Sequence, residues 1–190
     1  GNDKAQRFRM AFGEIFGHTK MFNFSVVGLA HWFVMVGFFV LFGTLATAYG
    51  QIIDPYFALP IIGHFWVYEY ITELIAWATG ISIVTLIGIR QVTLRTNKRS
   101  RFAGSGNGKA YYVEATILLI VFCVIALRGL EGALSNETGW NRHFITTWFI
   151  AAMFKSMTLT QLENWIQIVA TIKIVGSMAW FIVIASNLTM

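Results

Sequence analysis

The stretch at residues 24–49, FSVVGLAHWFVMVGFFVLFGTLATAY, runs for 26 residues without a formal charge. Crossing the hydrocarbon layer takes roughly 20 apolar residues in a helix, so the segment is long enough to span a bilayer. It carries one polar ring, His31, which lies roughly 10 Å inside the span at 1.5 Å per residue. Ionisable groups at that depth are paired, face protein or serve a function. Neutral imidazole is a standard axial ligand of haem iron, which makes His31 the first candidate. The alternative is a buried histidine hydrogen-bonded to a neighbouring helix.

The rest of the chain agrees with a membrane environment. Charged residues make up 12% of the 190 residues, against about 25% in soluble domains. Three further spans are expected at 66–89, 111–134 and 162–188, and the apolar piece 143–154 is too short to cross. It is expected in the interface or as a re-entrant segment. Phe8, Ala11, Phe12, Ile15 and Phe16 share a helical face, so residues 1–23 read as an amphipathic cytoplasmic surface helix. The expected fold is therefore all-α: an integral membrane helical bundle formed by residues 24–190, with four transmembrane helices.

Charge placement orients the bundle. Ten lysines and arginines precede the first span or fill the second connection, whereas the opposite connections hold only Arg142 and Lys155. Cytoplasmic loops carry the excess of such residues. Both termini are thus expected in the cytoplasm. The net charge of +5 is read as a topology signal and not as a nucleic-acid footprint. The run AGSGNGK lacks the Walker spacing and a preceding strand, so it reads as a flexible turn and not a phosphate cradle. One cysteine, Cys123, cannot hold zinc or an iron-sulfur cluster.

Charged residues within the spans form a second constellation. Lys173 falls mid-span in the last helix, and Arg128 and Glu131 are three apart in the third. Glu69 and Glu73 stack one turn apart in the second. Arg128 and Lys173 either contact haem propionates or a quinone carbonyl, or form ion pairs: Lys173 with Glu69 or Glu73 across helices, Arg128 with Glu131 along its own. Glu114 reads as a solvated or capping residue, and His64 and His143 as a possible pair at the outer face. A transporter is disfavoured by the lack of an inverted repeat or a pair of broken helices.

The strings GHTKM at 17–21, VGLAHWFVMVGF at 27–38, DPYFALPIIGHF at 54–65, AYYVEATI at 110–117, ALRGLE at 126–131 and IKIVGSMAW at 172–180 occur in one chain. In this order and spacing they resemble the membrane domain of actinobacterial iron-sulfur-binding reductases, the membrane-bound electron-transfer-flavoprotein dehydrogenases. That domain is similar to the gamma subunit of respiratory nitrate reductase. The resemblance implies a b-type cytochrome domain that exchanges electrons between a cytoplasmic iron-sulfur domain, supplied by electron-transfer flavoprotein, and membrane menaquinone. His31 matches the haem ligand nearer the cytoplasm, while Leu41 and Lys173 stand where the resemblance calls for ligands of an outer haem. It therefore implies one haem b at most, with the partner ligand of His31 beyond Met190. Family members carry an additional span before the surface helix and a cysteine-rich cluster domain after the last span, so the chain is expected to be a portion of such a protein. The other expectation is a cofactor-free membrane anchor for an iron-sulfur partner.

Overall fold

A computed structural model of the chain describes residues 25–96, 107–140 and 142–188. The amphipathic segment at the N-terminus, His18 and most of the glycine-rich run lie outside the described residues. Four long helices dominate: α1 (Ser25–Gln51), α2 (Trp66–Thr96), α3 (Asn107–Thr138) and α5 (Leu159–Leu188), with the six-residue α4 (Trp148–Met153) between the last two. The four expected spans are all present, each longer than its apolar core by a few residues. No strand occurs among the described residues.

Each long helix includes a segment of 25 to 29 residues that is long and apolar enough to cross a membrane. At 1.5 Å per residue such segments reach about 37–44 Å, which covers the hydrocarbon core with length to spare. Consecutive spans alternate in direction. α1 packs on α2 and α5, and α3 packs on α5 and α2, so the helices form a closed ring of antiparallel neighbours.

The distribution of polarity is inverted relative to a water-soluble bundle. Phe39, Phe42, Ile81, Val84, Phe122, Val175 and Ile182 are exposed, whereas Gln51, Glu69, Glu73, Arg128, Glu131 and Lys173 are buried. Lipid tails are as apolar as a leucine side chain, so an apolar exterior costs nothing there and polar groups collect where other helices can satisfy them. Hydroxyls follow the same rule: Thr44 Oγ1 donates to the Leu41 carbonyl at 2.6 Å and Thr116 Oγ1 to the Val113 carbonyl at 2.9 Å. An aliphatic core of Leu45, Ala48, Leu127, Leu134, Leu162 and Ile166 fills the remaining interior.

Helix ends and crossings have local causes. Gly139, with φ of +69°, takes the left-handed conformation that ends α3, and its N–H donates to the Ser135 carbonyl at 2.9 Å. Pro55 and Pro60 sit in the connection between α1 and α2, which is tied to α5 by Tyr56 Oη donating to Glu163 at 2.9 Å and by Gln167 Nε2 donating to the Ile52 carbonyl at 3.0 Å. Where α1 crosses α2, Gly37 faces Thr79, and a Cβ at Gly37 would lie 2.1 Å from Thr79 Oγ1. Gly37→Leu is therefore expected to lower stability by about 1–3 kcal/mol through overpacking, read as a lower melting temperature in detergent, while substitution at lipid-facing Phe42 by Leu leaves it nearly unchanged.

Candidate functional site

Two polar regions lie at opposite ends of the bundle. The first is built around α2. Glu69 and Glu73, one turn apart, face inward together with Arg128 and Glu131 of α3 and Arg142 of the segment that follows it. Arg128 donates to Glu73 Oε1 at 3.0 Å, to Glu131 Oε2 at 3.0 Å and to Glu69 Oε1 at 3.5 Å, and it also donates to the His143 carbonyl. Arg142 reaches Glu131 Oε2 at 2.5 Å, Glu69 Oε1 at 3.1 Å and the Gly63 carbonyl at 2.8 Å. Burial opposes the charge on Arg142, but the Glu131 and Glu69 carboxylates outweigh it and raise the guanidinium above its ordinary value. Gln51 at the end of α1 closes the cluster by donating to Glu131 Oε1 at 2.6 Å.

The carboxylates also hold a piece of irregular backbone. Glu73 Oε2 accepts the N–H groups of Ile145, Thr146 and Thr147 at 3.1, 2.8 and 3.3 Å, and Thr146 Oγ1 at 2.9 Å. Glu69 Oε2 accepts the His143 N–H at 3.0 Å. Non-helical backbone at membrane depth is tolerated only where protein satisfies it, and these two side chains do so. Residues 142–147 therefore pack onto the bundle and turn into α4, so the short apolar piece lies against the long helices without crossing.

Several expectations are corrected by these contacts. Lys173 does not pair with Glu69 or Glu73; its Nζ donates to the Thr44 carbonyl at 2.7 Å and to Thr44 Oγ1 at 2.8 Å. Its four-carbon stem lets it reach across to α1 before it meets α2. Arg128 does pair with Glu131, as one reading of the sequence had it, and takes Glu73 and Glu69 as well. His143 places Nδ1 at 2.8 Å from Glu69 Oε2 instead of meeting His64, which packs edge-on to Trp140 with ring centroids 6.3 Å apart. Lys173 and Arg128 line a common cavity of about 30 Å³ with Thr44, Thr72 and Glu131. That volume admits a water molecule or two and no porphyrin or quinone ring.

The second region lies where α1 and α3 begin and α2 ends. His31 is exposed on a groove of about 320 Å³ whose sides are Val34, Ile83, Leu86, Val113 and Ile117. Arg90 and Glu114 line the same groove and form an ion pair at 2.8 Å. Glu114 is buried and not a solvated cap; α2 supplies its cation. One of its oxygens, Oε2, is buried with no hydrogen-bond partner. The donor chemistry fits one side of a b-type haem: an imidazole for the iron, a guanidinium for a propionate, and apolar walls for the ring. No second histidine lines this groove among the described residues. Arg90 and Glu114 were not linked by sequence reasoning, although an arginine near the end of one span and a glutamate near the start of the next form a hairpin pair whenever the two helices are antiparallel neighbours.

The chain matches no protein-family model, no curated protein and no solved structure.

Removing one member of a buried charge cluster leaves its partners uncompensated, at a cost of about 3–5 kcal/mol. Glu73→Ala is expected to destabilise the protein by that amount and to open residues 142–147 to protease. Glu73→Gln, whose amide oxygen still accepts the backbone N–H groups, should fall between the two. Melting temperature in detergent with limited proteolysis checks the order.

Proposed function

We propose that this chain is a membrane-embedded electron-transfer domain that passes electrons between a cytoplasmic iron-sulfur partner and membrane quinone, with a b-type haem held on His31. The observation that carries the reading is the groove itself: an imidazole, a guanidinium and a carboxylate with an unpartnered oxygen, set in apolar walls open to lipid. When bound, the haem supplies one-electron storage between a cluster and a two-electron quinone. His31 would ligate it and Arg90 would neutralise a propionate. Glu114 Oε2, which has no protein partner, would carry a proton that quinone takes up on reduction. Basic residues crowd the sequence beside this end of the bundle, which supports placing it on the cytoplasmic side, where an iron-sulfur domain fed by electron-transfer flavoprotein would dock. Menaquinone as the quinone rests on the family resemblance alone. Arg128 and Lys173 line a cavity of water size, and we assign cofactor chemistry to the larger His31 groove.

A second reading, a cofactor-free anchor for the same partner, draws on a different observation. Arg128, Arg142 and Lys173 balance Glu69, Glu73 and Glu131 inside the bundle, so the buried charges compensate one another without any bound group.

Absorption spectra of the purified protein, oxidised and reduced, separate the two. The cytochrome reading expects a Soret band and a sharp reduced α-band that vanish in His31→Ala while the melting temperature holds. Preparations supplied with haem that show neither band would leave the anchor.

A further inference from the structure

We propose that His143, Glu69 and the cavity beneath them form a proton path from the membrane surface to Lys173, in the middle of the last span. This goes beyond the proposed electron-transfer role and stands whether or not a haem is bound.

The path is read from one contact, between His143 and Glu69, and from the cavity that Glu69 and Lys173 both line. The His143 side chain is one-third exposed, at 33%, whereas that of Glu69 is 2% exposed, and the two meet at 2.8 Å. Glu69 lines the 30 Å³ cavity, as do Tyr68, Thr72 and Lys173. Thr72 is 2% exposed, and its Oγ1 and Tyr68 Oη are buried without hydrogen-bond partners. Unpartnered buried hydroxyls on a polar cavity are what an internal water satisfies, and the volume suffices for one. Lys173 completes the set. An ammonium has three donors, and two reach Thr44, leaving the third for the cavity.

The chemistry is proton transfer only. His143 takes a proton from bulk water on Nε2 and releases one from Nδ1 to Glu69 Oε2. The Glu69 carboxyl passes a proton to cavity water, and the water passes one to the Lys173 amine, which becomes ammonium; the reverse steps return it. Imidazole suits the outer position because its two nitrogens accept and donate on opposite sides. The groups facing Lys173 are Thr44 from α1, Tyr68 and Glu69 from α2, Cys123, Arg128 and Glu131 from α3, and Arg142 from the segment that precedes α4. The fixed guanidinium charges of Arg128 and Arg142 hold Glu69 and Glu131 in place, and Lys173 is the cation of the cluster able to lose its proton.

The experiment is ¹⁵N NMR of the full chain in lipid nanodiscs with labelled lysine, the Lys173 signal assigned by its loss in Lys173→Met. Exchange of its Nζ hydrogens is followed after transfer to D₂O. His143→Gln keeps a donor for Glu69 but does not relay a proton, and Thr72→Val removes the cavity hydroxyl at constant shape. Each is expected to slow exchange on the order of 100-fold, whereas Thr72→Ser exchanges as the unaltered protein does. Melting temperatures of all variants show that each is folded. The proposal is overturned if Lys173 does not exchange in the unaltered protein, if His143→Gln exchanges at the unaltered rate, or if Thr72→Ser is as slow as Thr72→Val.

Discussion

Backbone that is not helical has no water to bond with at membrane depth, and the bundle satisfies this demand at one place, with two glutamates on a single helix. Glu73 collects three consecutive backbone N–H groups and two threonine hydroxyls, and Glu69 collects the N–H of His143. An unmade hydrogen bond to a buried group costs about 1–3 kcal/mol, so several such groups together would exceed the margin on which a fold of this size stands. Carboxylates accept more bonds than any neutral side chain, which is why charge, and not a serine or an asparagine, occupies these positions.

Two buried carboxylates demand cations, and the rest of the cluster follows from that demand. Arg128 and Arg142 bring planar guanidinium groups that address Glu69, Glu73 and Glu131 at once. Each also covers an aromatic face: Arg128 lies 4.5 Å from the Phe144 ring and Arg142 lies 4.8 Å from that of Trp140. Arg142 ties the connection between α1 and α2 through Gly63, so one network joins three of the long helices, that connection and the segment that precedes α4. The aliphatic core beneath then packs against a lid whose geometry is already fixed.

The two ends of the bundle differ in kind. At the cluster end the charged side chains pair with one another, and the space left, bordered by the unpartnered hydroxyls of Tyr68 and Thr72, is sized for water. At the opposite end an imidazole, one ion pair and an unpartnered carboxylate oxygen border a groove ten times larger, with walls of valine, leucine and isoleucine.

Predominantly apolar stretches of more than twenty residues, only the first of them free of charge, made the four spans legible in the sequence, because helix is the form in which a single segment satisfies its own backbone in lipid. The place of 143–154 was half legible, since its length excluded a crossing but did not say which helices it packs on. Candidate residues His31, Arg128 and Lys173 stood out because polar groups are conspicuous in apolar helices. Their partners did not. Lys173 reaching Thr44, His143 meeting Glu69 and Arg90 meeting Glu114 depend on which helix faces join around the ring, and helical faces that are apolar nearly all round give no amphipathic signal of their rotation. Local composition determined that the chain crosses a membrane; only the packing of helix on helix decided which buried charges compensate one another and which face an open groove.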